Sequence, residues 1–390
     1  MVLDLFKKPE PERVERKASA TAGVMAMASS GRVAWSPRDT VSLTKNGFQG
    51  NPVGFRCVRL ISEAAAAVPI LCQDAERRYE YHPLLMLLAR PNSGQTRAEM
   101  LEALYAQLML SGNAYLEAVL TEGAGGNLPR ELHVLRSDRV SLIPGADGWA
   151  EAYDYTVGNR KHRFAAELIC HFRTFHPGDD HYGLAPIQAA ATAVDVHNAA
   201  SRWSKALLDN AARPSGAIIY KGVDGSGGLS EDQFLRLQAE MESYHTGARN
   251  AGRPMLLDGG LDWKPMGFSP SDMEFQKTKE AAAREIALAF GVPPMLLGIP
   301  GDATYANYAE ANRAFYRLTV LPLVGRVLAS LAHWLTGFSI DPAELKPDLD
   351  QVPALSAERD AQWARVSEAE FLSAAEKRAM LGLPPMLDEA

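Results

Sequence analysis

The sequence predicts an α+β fold with several domains, on three observations. Two strongly capped amphipathic helices, beginning at Asn51-Pro52 and at Thr96, precede a run of short β-like segments between Ala114 and Arg173. From Pro186 onward the texture changes to long, alanine-rich helical runs interrupted by a Gly-rich insert. A length of 390 residues with 47% hydrophobic side chains leaves room for two or three domains with cores of their own.

Residues 1–35 are charged, then rich in Ala, Ser, Met and Gly, and carry no helical or strand period, which predicts a flexible arm with order beginning near Val41. The arm has no apolar core of the kind a secretory signal needs, so a cytoplasmic origin is expected. At Asn51 a capping side chain meets Pro52 at the first helical position; Val53, Cys57, Leu60, Ile61 and Ala64 then share one face until Pro69. Thr96 and Glu99 form a capping-box pattern ahead of Leu101, Leu104, Leu108 and Met109, with Gly112 as the stop. Strand-like runs follow at Tyr115–Leu120, Leu132–Leu135, Val140–Ile143, Tyr153–Val157 and Leu168–Phe172.

Residues 186–212 read as one helix of about 27 residues, ~40 Å long and poor in bulky side chains, suited to close packing beside other helices. Arg213-Pro214 ends it. An inserted α/β unit contains a β run at Gly216–Tyr220, a turn through Gly225, Gly227 and Gly228, and a helix opened by Ser230/Gln233 that buries Phe234, Leu237, Met241 and Tyr244. It ends with a strand-like piece at Met255–Leu257, and the chain leaves through Trp263 and Met266. A second long helix starts at the Ser271/Glu274 box and ends at Gly291. The loop from 291 to 304 is apolar yet rich in Gly and Pro, and apolar loops mark contact with something else. Tyr308, Phe315 and Leu318 begin a third helix that runs on past Pro322, where a kink is expected. After Phe338 the tail is a looser helical segment with a last capping box at Ser373/Glu376 and a stop at Gly382.

No unbroken apolar run reaches the ~18 residues that a bilayer span needs, the best candidate, 286–299, being broken by Gly291, Pro293 and Pro294; no membrane partner is expected. Cys57, Cys72 and Cys170 lie far apart in apolar stretches and read as buried thiols. The net charge of −7 argues against tight gripping of nucleic acid and is compatible with a wall past which a polyanion slides. No phosphate-binding Gly-x-x-x-x-Gly-Lys-Ser/Thr loop, nucleophile elbow, His-Glu-x-x-His or Cys-x-x-Cys occurs, so no cofactor is expected. One cluster has the donor atoms of a metal site, namely His171, His176, Asp179, Asp180 and His181, although its second half has the composition of a solvated turn. Lys221, Arg236, Arg249 and Arg253 collect in the insert, either as a contact for DNA or an acidic partner or as an ordinary solvated face among Glu231, Asp232, Glu240 and Glu242.

The chain resembles the portal proteins of tailed bacteriophages and gene transfer agents in an ordered series of segments. These are Phe55-Arg56-Cys57-Val58-Arg59-Leu60-Ile61-Ser62-Glu63, His82-Pro83-Leu84-Leu85, Arg90-Pro91-Asn92, Ser111-Gly112-Asn113-Ala114-Tyr115, Tyr182-Gly183-Leu184-Ala185-Pro186-Ile187 and Arg213-Pro214-Ser215-Gly216. Further on come Glu285-Ile286-Ala287, Phe290-Gly291-Val292-Pro293-Pro294-Met295-Leu296-Leu297-Gly298 and Thr304-Tyr305-Ala306-Asn307. The resemblance spans roughly residues 50 to 338 and implies a portal-type fold in a ring of about twelve copies. It assigns 36–184 to the wing, 185–212 and 271–290 to paired stem helices, 213–270 to the clip, 291–304 to the tunnel loop, 305–338 to a kinked wing helix and 339–390 to a short crown. It implies double-stranded DNA in the channel, with Met295, Leu296, Leu297 and Ile299 at the narrowest point, and as partners a terminase large subunit, a major capsid protein and a head-tail adaptor. The short crown and Ala306, where many relatives have Ser, depart from the pattern. An alternative for the loop is packing between subunits. Rival readings of the whole chain are a metal-dependent hydrolase using His171, His176, Asp179 and His181, and a monomeric adaptor.

Overall fold

The computed structural model describes residues 36–120, 129–209, 216–220, four helical positions between 232 and 239, 261–265, 275–299, 305–338 and 340–385. The predicted arm therefore lies outside the described residues. The chain divides into two compact units: one comprises residues 35–204 and 274–390, the other includes residues 205–273.

In the larger unit, α1 (Thr40–Leu43) runs directly into a π-helical turn, Thr44–Gln49. Helix α2 (Pro52–Ala67) starts where the sequence predicts, because the Asn51 side chain accepts from the amides of Val53 and Gly54. Strands β1 (Ile70–Gln73) and β2 (Arg78–Tyr79) follow, then α3 (Pro83–Ala89), capped by His82. Helix α4 (Arg97–Ser111) has the reciprocal Thr96/Glu99 box in place and ends at Gly112 with φ +73°. The strands are β3 (Asn113–Leu120), β4 (Pro129–Leu135), β5 (Val140–Pro144), β6 (Ala150–Val157), β7 (Arg160–Ala165) and β8 (Ile169–Arg173). They form two antiparallel sheets, ordered β4-β3-β8 and β5-β6-β7. Strand β7 has no alternating pattern to read, since nearly every residue is exposed; Asp154 on β6 holds it, taking Arg163 at 2.9 Å directly across the ladder and Lys161 at 2.6 Å.

The predicted helix over 186–212 is present as α5 (Pro186–Ala189) and α6 (Ala191–Asp209), interrupted at the single residue Ala190; residues 210–212 lie outside the described chain. Helix α7 (Phe275–Phe290) buries Ala282, Ala283, Ile286, Ala287 and Phe290. The Ser271/Glu274 box lies outside the described residues. Helices α8 (Tyr305–Phe315) and α9 (Leu321–Leu335) are joined by a π-helical turn at Tyr316–Val320. Pro322 explains it: with no N–H to give the Leu318 carbonyl and a ring that would strike it, the backbone widens one turn ahead. The run Asn307–Phe338 is long and apolar enough by length and composition to cross a membrane, unlike the 286–299 stretch the sequence favoured. In the fold its apolar side, Leu323, Val324, Val327, Leu328, Leu331 and Leu335, lies in the core.

The tail departs from expectation. Residues Glu344–Pro347 form β11, which pairs antiparallel with β1 in a sheet ordered β11-β1-β2, Ile70 opposite Pro347 and Gln73 opposite Glu344. Leu345, Val352 and Leu355 enter the main core, and α10 (Ser356–Glu368) and α11 (Ala374–Met380) follow them. A four-residue strand with alternate burial gives too short a period to be seen in sequence. In the smaller unit, β9 (Gly216–Tyr220) pairs antiparallel with β10 (Leu261–Pro265), Gly216 opposite Pro265. The sequence predicts a strand at Met255–Leu257 instead, which lies outside the described residues.

The main core draws on α2, α4, β3, α5, α7 and α9, and one of its tightest joints is a backbone crossing. A Cβ on Gly112 would stand 2.4 Å from the Gly183 carbonyl oxygen, and one on Gly183 would stand 2.1 Å from that of Gly112. Asn113 seals the joint: its Oδ1 accepts from the Gly183 amide at 2.8 Å and from His171 Nε2 at 3.0 Å. Thr174 donates its amide to Gly112 O and its hydroxyl to Leu184 O. Gly112→Ala will therefore cost about 2 kcal/mol or more beyond Gly148→Ala, since Gly148 shares a positive φ, +83°, but has nothing within 4 Å of the added methyl. Thermal unfolding of the two variants measures the difference.

Candidate functional site

Two groups of residues stand out by their chemistry: the histidine-aspartate cluster and the apolar loop after α7. The first is built into the fold rather than into a site. His171 on β8 stacks on Tyr115 at 4.3 Å between centroids, and its ring nitrogens meet Asn113 Oδ1 at 3.0 Å and Tyr153 Oη at 3.4 Å. His176 Nδ1 accepts the Gly178 amide, and Asp179 Oδ1 accepts the amides of His181 and Tyr182. The donors thus close a turn instead of converging, and among the described residues no group of three His, Cys, Asp or Glu is placed to hold a metal. This geometry gives the hydrolase reading no support. The three thiols are buried, and burial pushes Cys57 up to about 12 and Cys72 up to about 11, which removes the thiolate that reactivity requires.

The second group is positioned by the end of α7. Gly291, at φ +67°, ends the helix while the Val292 amide reaches back to Ala287 O at 2.9 Å, so the last carbonyls are satisfied. The Gly291 carbonyl takes the Thr319 hydroxyl at 2.7 Å. Thr319 belongs to the π-helical turn, so the widening ahead of Pro322 also fixes where the loop begins. Pro294–Leu297 then form a 3-10 turn. Met295, Leu296, Leu297 and Ile299 are all half-buried, and Leu296 and Leu297 rest on the main core. Residues 300–304 lie outside the described chain.

Beside the loop an apolar cleft of about 400 Å³ is lined by Leu288, Val292, Pro293, Pro294, Phe315 and Leu318. Leu288 is 80% exposed and Leu318 70% exposed. The sequence reading gave Leu318 only as a marker of the third helix and passed over Leu288, although Leu288 falls off the Ala282-Ile286-Phe290 stripe and a helical projection finds it. At the other ends of these helices, Trp203 on α6 stacks on Phe275 of α7 at 3.8 Å and 25°, which pairs the two helices as far as they are described in this unit. Of the basic cluster, Arg236 is exposed on a helix; Lys221, Arg249 and Arg253 lie outside the described residues.

Burial holds His171 neutral, down to about 4 from 6.5, with the charges of Arg173 and His181 acting in the same direction. The unfolded imidazole takes its proton near 6.5 and the folded one only near 4, so this group's contribution is complete above pH 6.5 and is lost as pH falls from 6.5 to about 4. A loss of roughly 3 kcal/mol across that window is expected from this group. His171→Gln will flatten the pH dependence of the unfolding midpoint below 6.5 without abolishing it, because burial lowers His82 and His197 as well.

The sequence model of the phage portal protein family matches residues 52–382. The neck of an empty gene transfer agent particle, computed with C6 symmetry, contains a chain 72% identical, with a TM-score of 0.72, over 90% of this chain and 96% of that one. The neck of the native particle, computed with C12 symmetry, gives 69% identity and a TM-score of 0.69 over the same shares. A probable portal protein of Streptomyces phage phiC31 is 27% identical over 353 residues, covering 86% of this chain and 75% of its own length. The chain, by this match over most of its length, belongs to the phage portal protein family.

Proposed function

We propose that the chain is one subunit of a closed ring at a capsid vertex, about twelve copies around a channel through which double-stranded DNA enters and leaves the shell. The observation that carries this reading is the match, over 90% of the chain, to subunits in gene transfer agent necks of six- and twelvefold symmetry. Exposed Leu288 and Leu318 around an apolar cleft accord with it, since apolar side chains of that size are seldom left in water by a protein that stays alone. The role is structural: the ring guides DNA and catalyses nothing, and assembly takes place in the bacterial cytoplasm before the subunit becomes part of the particle.

Within that reading the loop 291–304 faces DNA. Leu296 and Leu297, leaning on the core, anchor it, while Met295 and Ile299 beside them offer apolar contact without fixed hydrogen bonds. A chain of net charge −7 has no surplus of cations with which to arrest a polyanion. The unit containing 205–273 is the docking side for the terminase large subunit, with Lys221, Arg236, Arg249 and Arg253 as its basic contacts, and the head-tail adaptor and major capsid protein meet the remaining outer faces. Met295→Gly combined with Ile299→Gly will leave ring assembly intact and reduce the DNA retained per particle several-fold. Unchanged retention in intact rings would return the loop to packing between subunits.

A further inference from the structure

The first described residues grip α6 over two turns. Ser36 donates its amide to Asp195 Oδ2 at 3.0 Å and its hydroxyl to Oδ1 at 2.5 Å, and Asn46 Nδ2 in turn reaches the Ser36 hydroxyl at 3.0 Å. Arg38 reaches Thr192. Asn198 Nδ2 donates to Asn46 O at 2.9 Å. At the centre stands Asn51, whose carboxamide is satisfied four ways: Oδ1 accepts from Val53 and Gly54, while Nδ2 donates to His197 Nδ1 at 3.1 Å and Asn198 Oδ1 at 2.9 Å. Asn51 is 1% exposed and His197 3% exposed. The segment has no slack, because a Cβ on Gly54 would stand 2.0 Å from Gly47 O and one on Gly47 would stand 2.6 Å from Ile187 Cδ1. Only a few residues beyond this grip, at Ser204, α6 leaves the larger unit.

We infer that residues 36–54 are a clasp that holds the first turns of α6 in place within the larger unit, and that Asn51 is its positioning residue. A helix cap alone would not require asparagine: Asp or Ser caps as well, but neither carries the amide that the two α6 acceptors take. The bond to Nδ1 also puts the neutral imidazole proton on Nε2, and burial keeps the ring neutral. The charged group bearing on His197 is Lys279 from α7; Asp195, two residues earlier on its own helix, is occupied by Ser36. The inference rests on the channel reading only for the use it gives α6.

Asn51→Asp in the full chain separates the two roles, since it keeps the cap and removes both donations. Hydrogen exchange followed by mass spectrometry is expected to show residues 191–204 exchanging about tenfold faster while 53–58 keep their protection. Exchange in 191–204 equal to that of the unaltered chain, or a uniform loosening of both segments, would overturn the clasp. Should that variant not fold, Asn198→Asp, which drops only the donation to Asn46 O, is read in the same way. If the unaltered chain forms no rings the channel reading fails, whereas the exchange result still decides the clasp.

Discussion

The larger unit turns on the place where two backbones cross at Gly112 and Gly183. The approach is closer than any side chain permits, and Asn113, His171 and Thr174 surround it with hydrogen bonds that leave the crossing strands fully paired. One strand begins there, another ends there, and the connection into α5 starts there. Interiors of this density transmit displacement rather than absorb it, so the crossing fixes where the chain enters α5. The Asn51 network holds α6 further along.

The segments that mark the family fall largely at junctions of this kind, and not at converging reactive groups. Asn92 gives its amide to Leu132 O at 2.9 Å and takes the Gly94 amide, while Leu132 in turn donates to Pro91 O at 2.7 Å. His82 starts α3, and Gly291 closes α7 under the hand of Thr319. Each residue satisfies backbone groups where the chain changes direction, which is what a subunit of a closed ring needs if every copy is to present the same two faces to its neighbours.

Much of this is legible in the sequence because it is local. The Asn51 and Thr96 caps and the Gly112 and Gly291 stops each follow from a few adjacent residues, and the structure has all of them; ahead of Pro322, where the sequence predicts a kink, it has a π-helical turn. Strands β7 and β11 are not legible: the first is all but fully solvent-facing and held by the ion pairs of Asp154, the second is four residues long and exists only through its partner β1. The metal-like cluster misleads because donor atoms close in sequence need not share an aim: His171 points into an aromatic stack and Asp179 into its own turn. The hydrogen bonds between Asn51 and α6 connect residues 146 and 147 positions apart, a separation that no periodicity encodes.

Self-association around a hole is the claim on which the rest turns. Electron microscopy of the purified full-length chain measures it directly: the account predicts annular particles of high cyclic symmetry with a central opening wide enough for a duplex. A uniform population of compact single subunits at every concentration, with no annular particle alone or at a capsid vertex, would contradict it.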